Sequence, residues 1–246
     1  MKMPLHSLEV RLRRVEELDK PSLINMPATI DLVSITVDAS LIEDIGAYEL
    51  LDFAEELGVK ASSIRIVGDG LSGEGVEKLA IMAGETLTRS VIVEYRPSLD
   101  LDELFDTFSV YKSKVLLDAS PHDLRGLYRR LSGYIGGVLG IALSEDRFGD
   151  TESFIDAVDT YFRLVRSITL TNLDDEGRGA PLLKPQRYNN PLAIRHIVER
   201  GYDEEITLRI RDTMDVGSEY PVFKEFLRSA VEKSLGRPLF PGRLRH

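Results

Sequence analysis

The 246-residue sequence contains no cysteine and no tryptophan. The absence of cysteine excludes a disulfide scaffold, a cysteine-ligated zinc site, an iron–sulfur cluster and thiol catalysis. No stretch approaches the roughly 18 apolar residues that a membrane-spanning helix requires. The first residues also lack the apolar segment of a signal peptide. We therefore expect a cytoplasmic protein with no membrane partner.

Positive charge is also scarce, because 31 Lys and Arg residues face 41 Asp and Glu residues, which gives a net charge of −10. Nucleic-acid binding needs clustered Lys and Arg, so no nucleic-acid partner is expected. Arg outnumbers Lys by more than two to one, which together with the missing cysteine would suit a thermophilic source. No linker divides the chain, which predicts one domain over residues 1–246 with a basic tail at 236–246.

Short apolar runs alternate with longer amphipathic segments along the chain. This alternation predicts right-handed crossovers and a parallel sheet. Eight such units favour a single α/β domain, a (β/α)8 TIM barrel, and a doubly wound open sheet is the alternative. The predicted strands are Ser7–Arg13, Ile30–Asp38, Ser63–Asp69, Ser90–Arg96, Lys114–Ser120, Gly137–Glu145, Ser167–Leu173 and Glu205–Asp212. The predicted helices are Leu41–Leu57, Gly75–Leu87, Leu101–Tyr111, Leu124–Tyr134, Glu152–Arg166, Pro191–Arg200 and Glu219–Leu235, with at most a short helix in Val15–Ala28.

Alternation within the strands predicts a polar, charged lumen. Side chains of a strand point to opposite faces, and in a barrel the aliphatic row faces the helices while the other row faces the lumen. The inward rows then carry acidic and basic residues in equal number: Glu9, Asp38, Glu94, Asp118, Arg11, Arg65, Arg96 and Arg209. Two interpretations remain open. The charges form an internal ion-pair network, or they line a pocket for a small anionic molecule.

The carboxyl ends of the strands are where active sites of such barrels lie. Glu94, Arg96 and Asp118 are near those ends, and His122 follows Asp118 after Pro121. A carboxylate and an imidazole at one strand end suit an acid/base pair or two metal ligands. His122 is alternatively only the first residue of the next helix.

Four segments resemble the xylose-isomerase-like TIM-barrel superfamily, which includes sugar-phosphate isomerases, epimerases and endonuclease IV-type enzymes. They are Val91-Ile92-Val93-Glu94, Val115-Leu116-Leu117-Asp118 with His122, Ile168 to Asp174 with Gly177 and Gly179, and Gly201-Tyr202-Asp203 before Ile206-Thr207-Leu208-Arg209. The resemblance covers about the last two-thirds of the chain. It implies that Glu94 and Asp118 are ligands of a divalent Mn²⁺ or Mg²⁺ ion.

The chain departs from the family pattern at three of its functional positions. The family histidine is replaced by Thr169 or Thr171, the glutamate of the last strand is replaced by Arg209, and His122 is one residue further from its aspartate. A cation in the fourth ligand position would repel a metal ion. The resemblance therefore implies a divergent member with an incomplete metal site.

Two other comparisons are weaker. Ser120-Pro121-His122-Asp123 is similar to a segment of type I dehydroquinase-like barrels, but the sixth strand has no lysine for a Schiff base. The glycine-rich loop Gly68–Gly73 has neither the spacing of a P-loop nor that of a dinucleotide-binding motif. Its backbone N–H groups could still bind a phosphate at the start of the following helix. We expect no nucleotide cofactor.

The leading functional hypothesis is an isomerase or epimerase acting on a small anionic polyol such as a sugar phosphate. Glu94 would be the base or a metal ligand, Asp118 a ligand or orienting group, and His122 an acid/base, while arginines would bind the anion: Arg65, Arg96, Arg209 and Arg178. The alternative is a non-catalytic barrel that binds a metabolite or partner and has lost the metal site. An abasic-site endonuclease is a third hypothesis, and the net charge of −10 argues against it because DNA binding needs clustered positive charge. The sequence leaves open whether the protein forms a homo-oligomer.

The connection from Asp174 to Pro191 is unusually long for a compact domain. It contains Gly177, Gly179 and three cations, Arg178, Lys184 and Arg187. We predict a mobile lid whose Arg178 or Arg187 reaches a bound ligand. The alternative is a fixed cover in which the apolar residues of 181–185 pack across the barrel mouth.

Overall fold

The computed structural model describes residues 2–12, 30–68, 71, 73–85, 88, 90–134, 137–211 and 216–236. Within them, eight strands alternate with α-helices after most strands. The strands are β1 (Leu5–Leu12), β2 (Leu32–Asp38), β3 (Lys60–Val67), β4 (Ser90–Glu94), β5 (Val115–Asp118), β6 (Leu139–Ser144), β7 (Val165–Thr171) and β8 (Glu205–Arg209). The helices are α1 (Ala47–Glu56), α2 (Gly73–Glu85), α3 (Leu101–Val110), α4 (Leu124–Leu131), α5 (Thr151–Tyr161), α6 (Asn190–Glu199) and α7 (Val216–Leu235).

The strands form one closed parallel barrel in the order β1 to β8, with β8 paired to β1. The predicted (β/α)8 TIM barrel is therefore confirmed, and the open doubly wound sheet is wrong. Each strand is followed in space by its next neighbour in sequence, so the carboxyl ends of all eight strands meet at one mouth. No helix in the described parts of the chain has the length and apolar character needed to cross a bilayer.

Helix boundaries differ from the prediction where backbone geometry overrides apolar periodicity. The helix predicted from Leu41 begins at Ala47, because a 3-10 turn ends at Leu41 and Gly46 is extended. The helix predicted to Arg166 ends at Tyr161, because β7 begins at Val165. The proposed helix in 15–28, part of the glycine-rich loop and the tail beyond 236 lie outside the described residues.

The two faces of the strands carry different chemistry, as the alternation predicts. Val33, Ile35 and Val37 of β2 are fully buried between barrel and helices. Deep in the lumen, Ile92, Leu116 and Ala142 form a separate small apolar cluster. Gly140 is required beside it, because a Cβ at that position would lie 2.8 Å from Leu116 Cδ2.

Candidate functional site at the carboxyl end of the barrel

The floor of the lumen holds a buried carboxylate among hydroxyl groups. Glu205 is 4% exposed, and its Oε1 accepts hydrogen bonds from Ser7 Oγ at 2.7 Å and Ser62 Oγ at 2.5 Å. Thr207 Oγ1 lies 3.0 Å from Ser7 Oγ and continues this polar layer. Neutral hydroxyl groups therefore satisfy this carboxylate by hydrogen bonds, and no buried cation is needed beside it.

Asp118 is the carboxylate at the centre of the lumen, at the end of β5. Its Oδ2 accepts hydrogen bonds from Arg65 Nη1 and from Ser144 Oγ at 2.8 Å. Arg65 is 2% exposed and also donates from Nη2 to Thr169 Oγ1 at 2.7 Å. Buried charges persist when they are paired and hydrogen-bonded. This part of the lumen is therefore an internal ion pair, the first of the two interpretations from sequence.

Arg147 connects Asp118 to the second predicted carboxylate. The strand register sets Glu94 beside Asp118 on β4 and β5. Arg147 Nη2 donates to Glu94 Oε1 at 3.0 Å, and its Nε lies 3.2 Å from Asp118 Oδ1. Burial lowers the pKa of Arg147, but the charge of Asp118 and the bond to Glu94 outweigh this and raise it. The guanidinium is thus a permanent cation between two carboxylates.

A second ion-pair network crosses the mouth from β8 to β1. Arg209 donates from Nε to Glu9 Oε2 and from Nη1 to Asp146 Oδ2, both at 2.7 Å. Arg211 Nη2 also donates to Asp146 Oδ2, at 3.1 Å. Burial raises the pKa of Asp146, but the charges of Arg209 and Arg211 outweigh it and hold the pKa below its usual value.

These networks enclose a cavity of about 280 Å³ at the mouth of the lumen. Arg11 is exposed. The hydrogen bonds from Ser40, together with the charge of Arg11, lower the pKa of Asp38. Among the described residues that line this cavity, five are arginines and three are carboxylates, and Arg147 is also paired with Glu94 beside it. The lining residues are Glu9, Arg11, Thr36, Arg65, Val67, Asp118, Asp146, Arg147, Arg209, Ile210 and Arg211.

The polar lining of this cavity includes groups that the protein itself leaves unpaired. Within the described residues, four buried side-chain atoms of the lining have no hydrogen-bond partner: Thr36 Oγ1, Arg65 Nε, Asp118 Oδ1 and Arg211 Nε. Buried polar groups are normally satisfied by protein, water or ligand. The cavity is therefore suited to a polar occupant that brings acceptors for the guanidinium groups.

The predicted site residues divide into three groups. Glu94, Asp118, Arg65 and Arg209 meet in or beside the lumen networks. Arg96 is exposed, 4.0 Å from Glu94, and lines a neighbouring cavity of about 340 Å³ that shares Glu94 with this network.

His122 and Arg178 are placed apart from the lumen networks. His122 lies exposed in the turn before α4 and has no hydrogen bond or ion pair with any residue that the structure describes. Arg178 belongs to an exposed turn, where it binds Asp174 at 3.0 Å and Glu176 at 2.9 Å. Neither residue lines the lumen cavity.

Asp146 and Arg147 are the site residues that sequence reasoning missed. Both belong to the 3-10 turn Glu145–Arg147 that follows β6. The available signal was an Asp-Arg pair directly after a predicted barrel strand, where functional side chains concentrate. Strand alternation could not reveal it, because the pattern ends where the strand does.

The carboxylates do not fit a resident divalent metal ion. Glu94 and both oxygens of Asp118 already face guanidinium groups. Among the described residues, no group of three His, Asp or Glu side chains is arranged to hold a metal ion. A divalent cation would meet the charges of Arg65 and Arg147 at the position that the family resemblance assigns to it.

Glu145 begins the turn that carries Asp146 and Arg147, and it is fully buried. Its Oε2 accepts a hydrogen bond from the backbone N–H of Thr171 at 3.1 Å, while Oε1 has no partner within the described parts. Burial, opposed by the Thr171 bond, raises the pKa of Glu145 to about 8. The side chain is therefore mostly protonated at neutral pH.

The connection that follows β7 is fixed to the body of the barrel at several points. Leu182 is buried and its N–H donates to Glu219 Oε2 at 2.8 Å, and Tyr188 Oη donates to the Phe148 carbonyl at 2.9 Å. Asn189 N–H donates to Thr151 Oγ1 at 2.7 Å. These contacts agree with the fixed-cover alternative, although Pro181 and Pro185 are exposed. Closure on a ligand stays a prediction.

This geometry defines a closed (β/α)8 barrel with a charged site at its mouth, and solved structures share its fold. A D-tagatose 3-epimerase-like protein is 17% identical with a TM-score of 0.63, over 95% of this chain and 99% of that one. A xylose isomerase domain protein from Planctomyces limnophilus is 13% identical with a TM-score of 0.59, over 95% and 99%. A xylose isomerase-like barrel from Mycobacterium smegmatis in complex with magnesium is 13% identical with a TM-score of 0.60, over 90% and 89%.

The chain therefore shares the fold of these xylose isomerase-like TIM barrels, which is the fold that the resemblance in sequence implied. No family model and no curated protein matches the sequence.

Proposed function

We propose that this barrel binds a small anionic polyol, a sugar phosphate or sugar acid, in the lumen cavity without a divalent cation. The observation that carries the proposal is the group of five arginines that, among the described residues, line one cavity together with three carboxylates. Guanidinium groups form bidentate hydrogen bonds with phosphates and carboxylates. Thr36 Oγ1 and Asp118 Oδ1 in the same wall have no hydrogen-bond partner among the described residues and suit the hydroxyl groups of a polyol.

The arginines have different roles in this proposal. Arg65 and Arg209 are held by carboxylates and shape the pocket, and Arg96 borders the neighbouring cavity. Arg147 and Arg211 are 27% and 41% exposed at their side chains and still offer donors to a ligand, as does Arg11. Arg178 is left out, because its donors are directed to Asp174 and Glu176.

Isomerisation or epimerisation of the bound polyol is the second candidate. Glu94 favours it, because this carboxylate is 29% exposed at its side chain and pairs with Arg147, which lines the lumen cavity. In that case Glu94 would move the proton, and Asp118 would position Arg147. The names of the structural neighbours, an epimerase-like protein and a xylose isomerase domain protein, belong to the same reaction class.

A thermal-shift panel of sugar phosphates, sugar acids and neutral sugars, each with EDTA or with Mn²⁺, tests the binding proposal. We expect anionic polyols alone to raise Tm, by the same amount in EDTA. Arg211→Ala should weaken binding by about tenfold or more, since a hydrogen bond to a charged group contributes about 1.5–3 kcal/mol. The matched control Arg228→Ala removes an exposed arginine of α7 that pairs with Glu225, away from the lumen cavity. No Tm response to any anion, or equal losses in both variants, would contradict the proposal.

Turnover is measured separately by following proton exchange from solvent into the polyols that bind. Exchange that disappears in Glu94→Gln while binding persists would establish the second candidate. Binding without proton exchange would support the alternative hypothesis of a non-catalytic barrel that binds a metabolite.

A further inference from the structure

The guanidinium of Arg147 lies between two carboxylates from adjacent strands, a position that suits a metal ion. We infer that Arg147 is the resident cation of this site and that it keeps a divalent metal ion out of a carboxylate pair that would otherwise bind one. The inference concerns the same pocket as the proposed function and rests on it for the identity of the ligand, but its test uses metal alone.

Only part of the carboxylate pair is available to a cation at this position. Asp118 Oδ2 is occupied by Arg65 Nη1 and Ser144 Oγ. The other oxygen, Oδ1, is buried without a hydrogen bond and lies 3.2 Å from Arg147 Nε. Glu94 supplies the second carboxylate, 3.0 Å from Arg147 Nη2. Mg²⁺ and similar hard cations are often held by one or two carboxylates, with water completing the shell.

The contact between Arg147 and Asp118 is an ion pair without hydrogen-bond geometry, which leaves Oδ1 with no directional partner. The Arg147 side chain is also 27% exposed, whereas that of Arg65 is 2% exposed. Arg147 is therefore the replaceable cation of the pair, and Arg65 is the structural one. Removal of Arg147 would free Asp118 Oδ1 and Glu94 Oε1 together, while Arg96 would stay 4.0 Å from Glu94 Oε2.

Arg211 provides a matched comparison. It lines the same cavity and carries the same charge, but its guanidinium pairs with Asp146 and not with Glu94 or Asp118. Loss of Arg211 removes one positive charge from the pocket without opening the carboxylate pair. A metal site that appears only when Arg147 is removed must therefore depend on its position and not on pocket charge alone.

The experiment is a Mn²⁺ titration of sugar-free protein by calorimetry and by the electron paramagnetic resonance signal of free Mn²⁺. We expect no stoichiometric site in the unmodified protein, in Arg211→Ala or in Arg147→Lys, which keeps the charge. Arg147→Ala should bind one Mn²⁺ at least about tenfold more tightly than Arg211→Ala, because the repulsion from the guanidinium that lies between the two carboxylates is gone. Adding Glu94→Gln to Arg147→Ala should abolish that site.

Circular dichroism and Tm establish that each variant is folded, and Arg147→Gln, which retains side-chain volume, replaces Arg147→Ala if that protein is not. A stoichiometric Mn²⁺ site in the unmodified protein that Glu94→Gln removes would overturn the inference. Equal Mn²⁺ affinity of the Arg147 and Arg211 variants would overturn it too. The proposed function fails independently, when anionic polyols do not shift Tm in EDTA.

Discussion

The floor and the mouth of the lumen solvate buried carboxylates in different ways. At the floor, hydroxyl groups of Ser7 and Ser62 bind Glu205. At the mouth, guanidinium groups of Arg65 and Arg147 neutralise Asp118. Hydroxyls of short side chains have few directions in which to point and form a rigid layer. Long arginine side chains bring charge and spare donors, so the mouth retains groups that a ligand can use.

Beside the mouth, Glu145 shows a third solution, since it has no cationic partner in the described chain and is neutralised by a proton. The three carboxylates make the comparison testable. We expect the free energy of unfolding to fall most when a buried counter-charge is removed. A change in the protonation of Glu145 should have a smaller effect, and the loss of hydrogen bonds from neutral hydroxyls a smaller one still.

The largest effect is expected for Arg65→Met, which leaves Asp118 buried with Arg147 as its remaining counter-charge. Removal of one partner of a buried ion pair typically costs about 3–5 kcal/mol. Urea denaturation followed by circular dichroism measures the free energy of unfolding. The double variant Arg65→Met/Asp118→Leu is the control and should recover much of the loss. A loss that is as large in the double variant would show that packing, and not charge, dominates.

The second effect is a pH dependence caused by Glu145. Its pKa is raised from 4.5 to about 8 in the folded chain, so between these values the unfolded chain releases a proton that the folded chain keeps. The free energy of unfolding should therefore fall with rising pH, by at most about 1.4 kcal/mol per pH unit, and level off above pH 8. Urea denaturation at a series of pH values should show this slope reduced in Glu145→Gln. An unchanged slope would assign the pH dependence to other groups.

The third effect concerns the floor. Glu205→Ala removes the carboxylate that accepts from Ser7 and Ser62, whose hydroxyls keep Thr207 Oγ1 and the Val33 carbonyl as neighbours, and we expect a loss of about 1–3 kcal/mol. Glu205→Gln keeps an oxygen at Oε1 and should lose less. Sugar-phosphate binding should be unchanged in Glu205→Gln, because Glu205 does not line the mouth cavity. Weaker binding in that variant would mean that floor and mouth are coupled.

The smallest effect is expected for Arg178→Ala. Its ion pairs with Asp174 and Glu176 lie within one exposed turn, so both the free energy of unfolding and sugar-phosphate binding should be unchanged. Tryptic cleavage at Arg178 should also proceed at the same rate with and without a bound sugar phosphate. Protection by the ligand would instead support a lid formed by the connection after β7.

Much of the barrel could be predicted from the sequence because strand alternation is a local property. Leu116 and Asp118 share one face of β5, and Thr207 and Arg209 share one face of β8, whatever their neighbours are. The predicted inward rows therefore contain five residues of the lumen networks: Glu9, Glu94, Asp118, Arg65 and Arg209. Asp146 and Arg147 could not be found in this way, because a 3-10 turn beyond β6 sets their directions.

The sequence by itself determined the eight strands, their order of aliphatic and polar faces, and the presence of acids and arginines inside a barrel. Only the tertiary structure decided which charges meet. Glu9 and Arg209 are 200 positions apart in the chain and bond across the closure of β8 onto β1. Arg65 reaches Asp118 across the lumen, and Arg147 turns back over it from β6. Pairing of charges depends on distances of a few ångströms that barrel closure sets, and no local pattern encodes them.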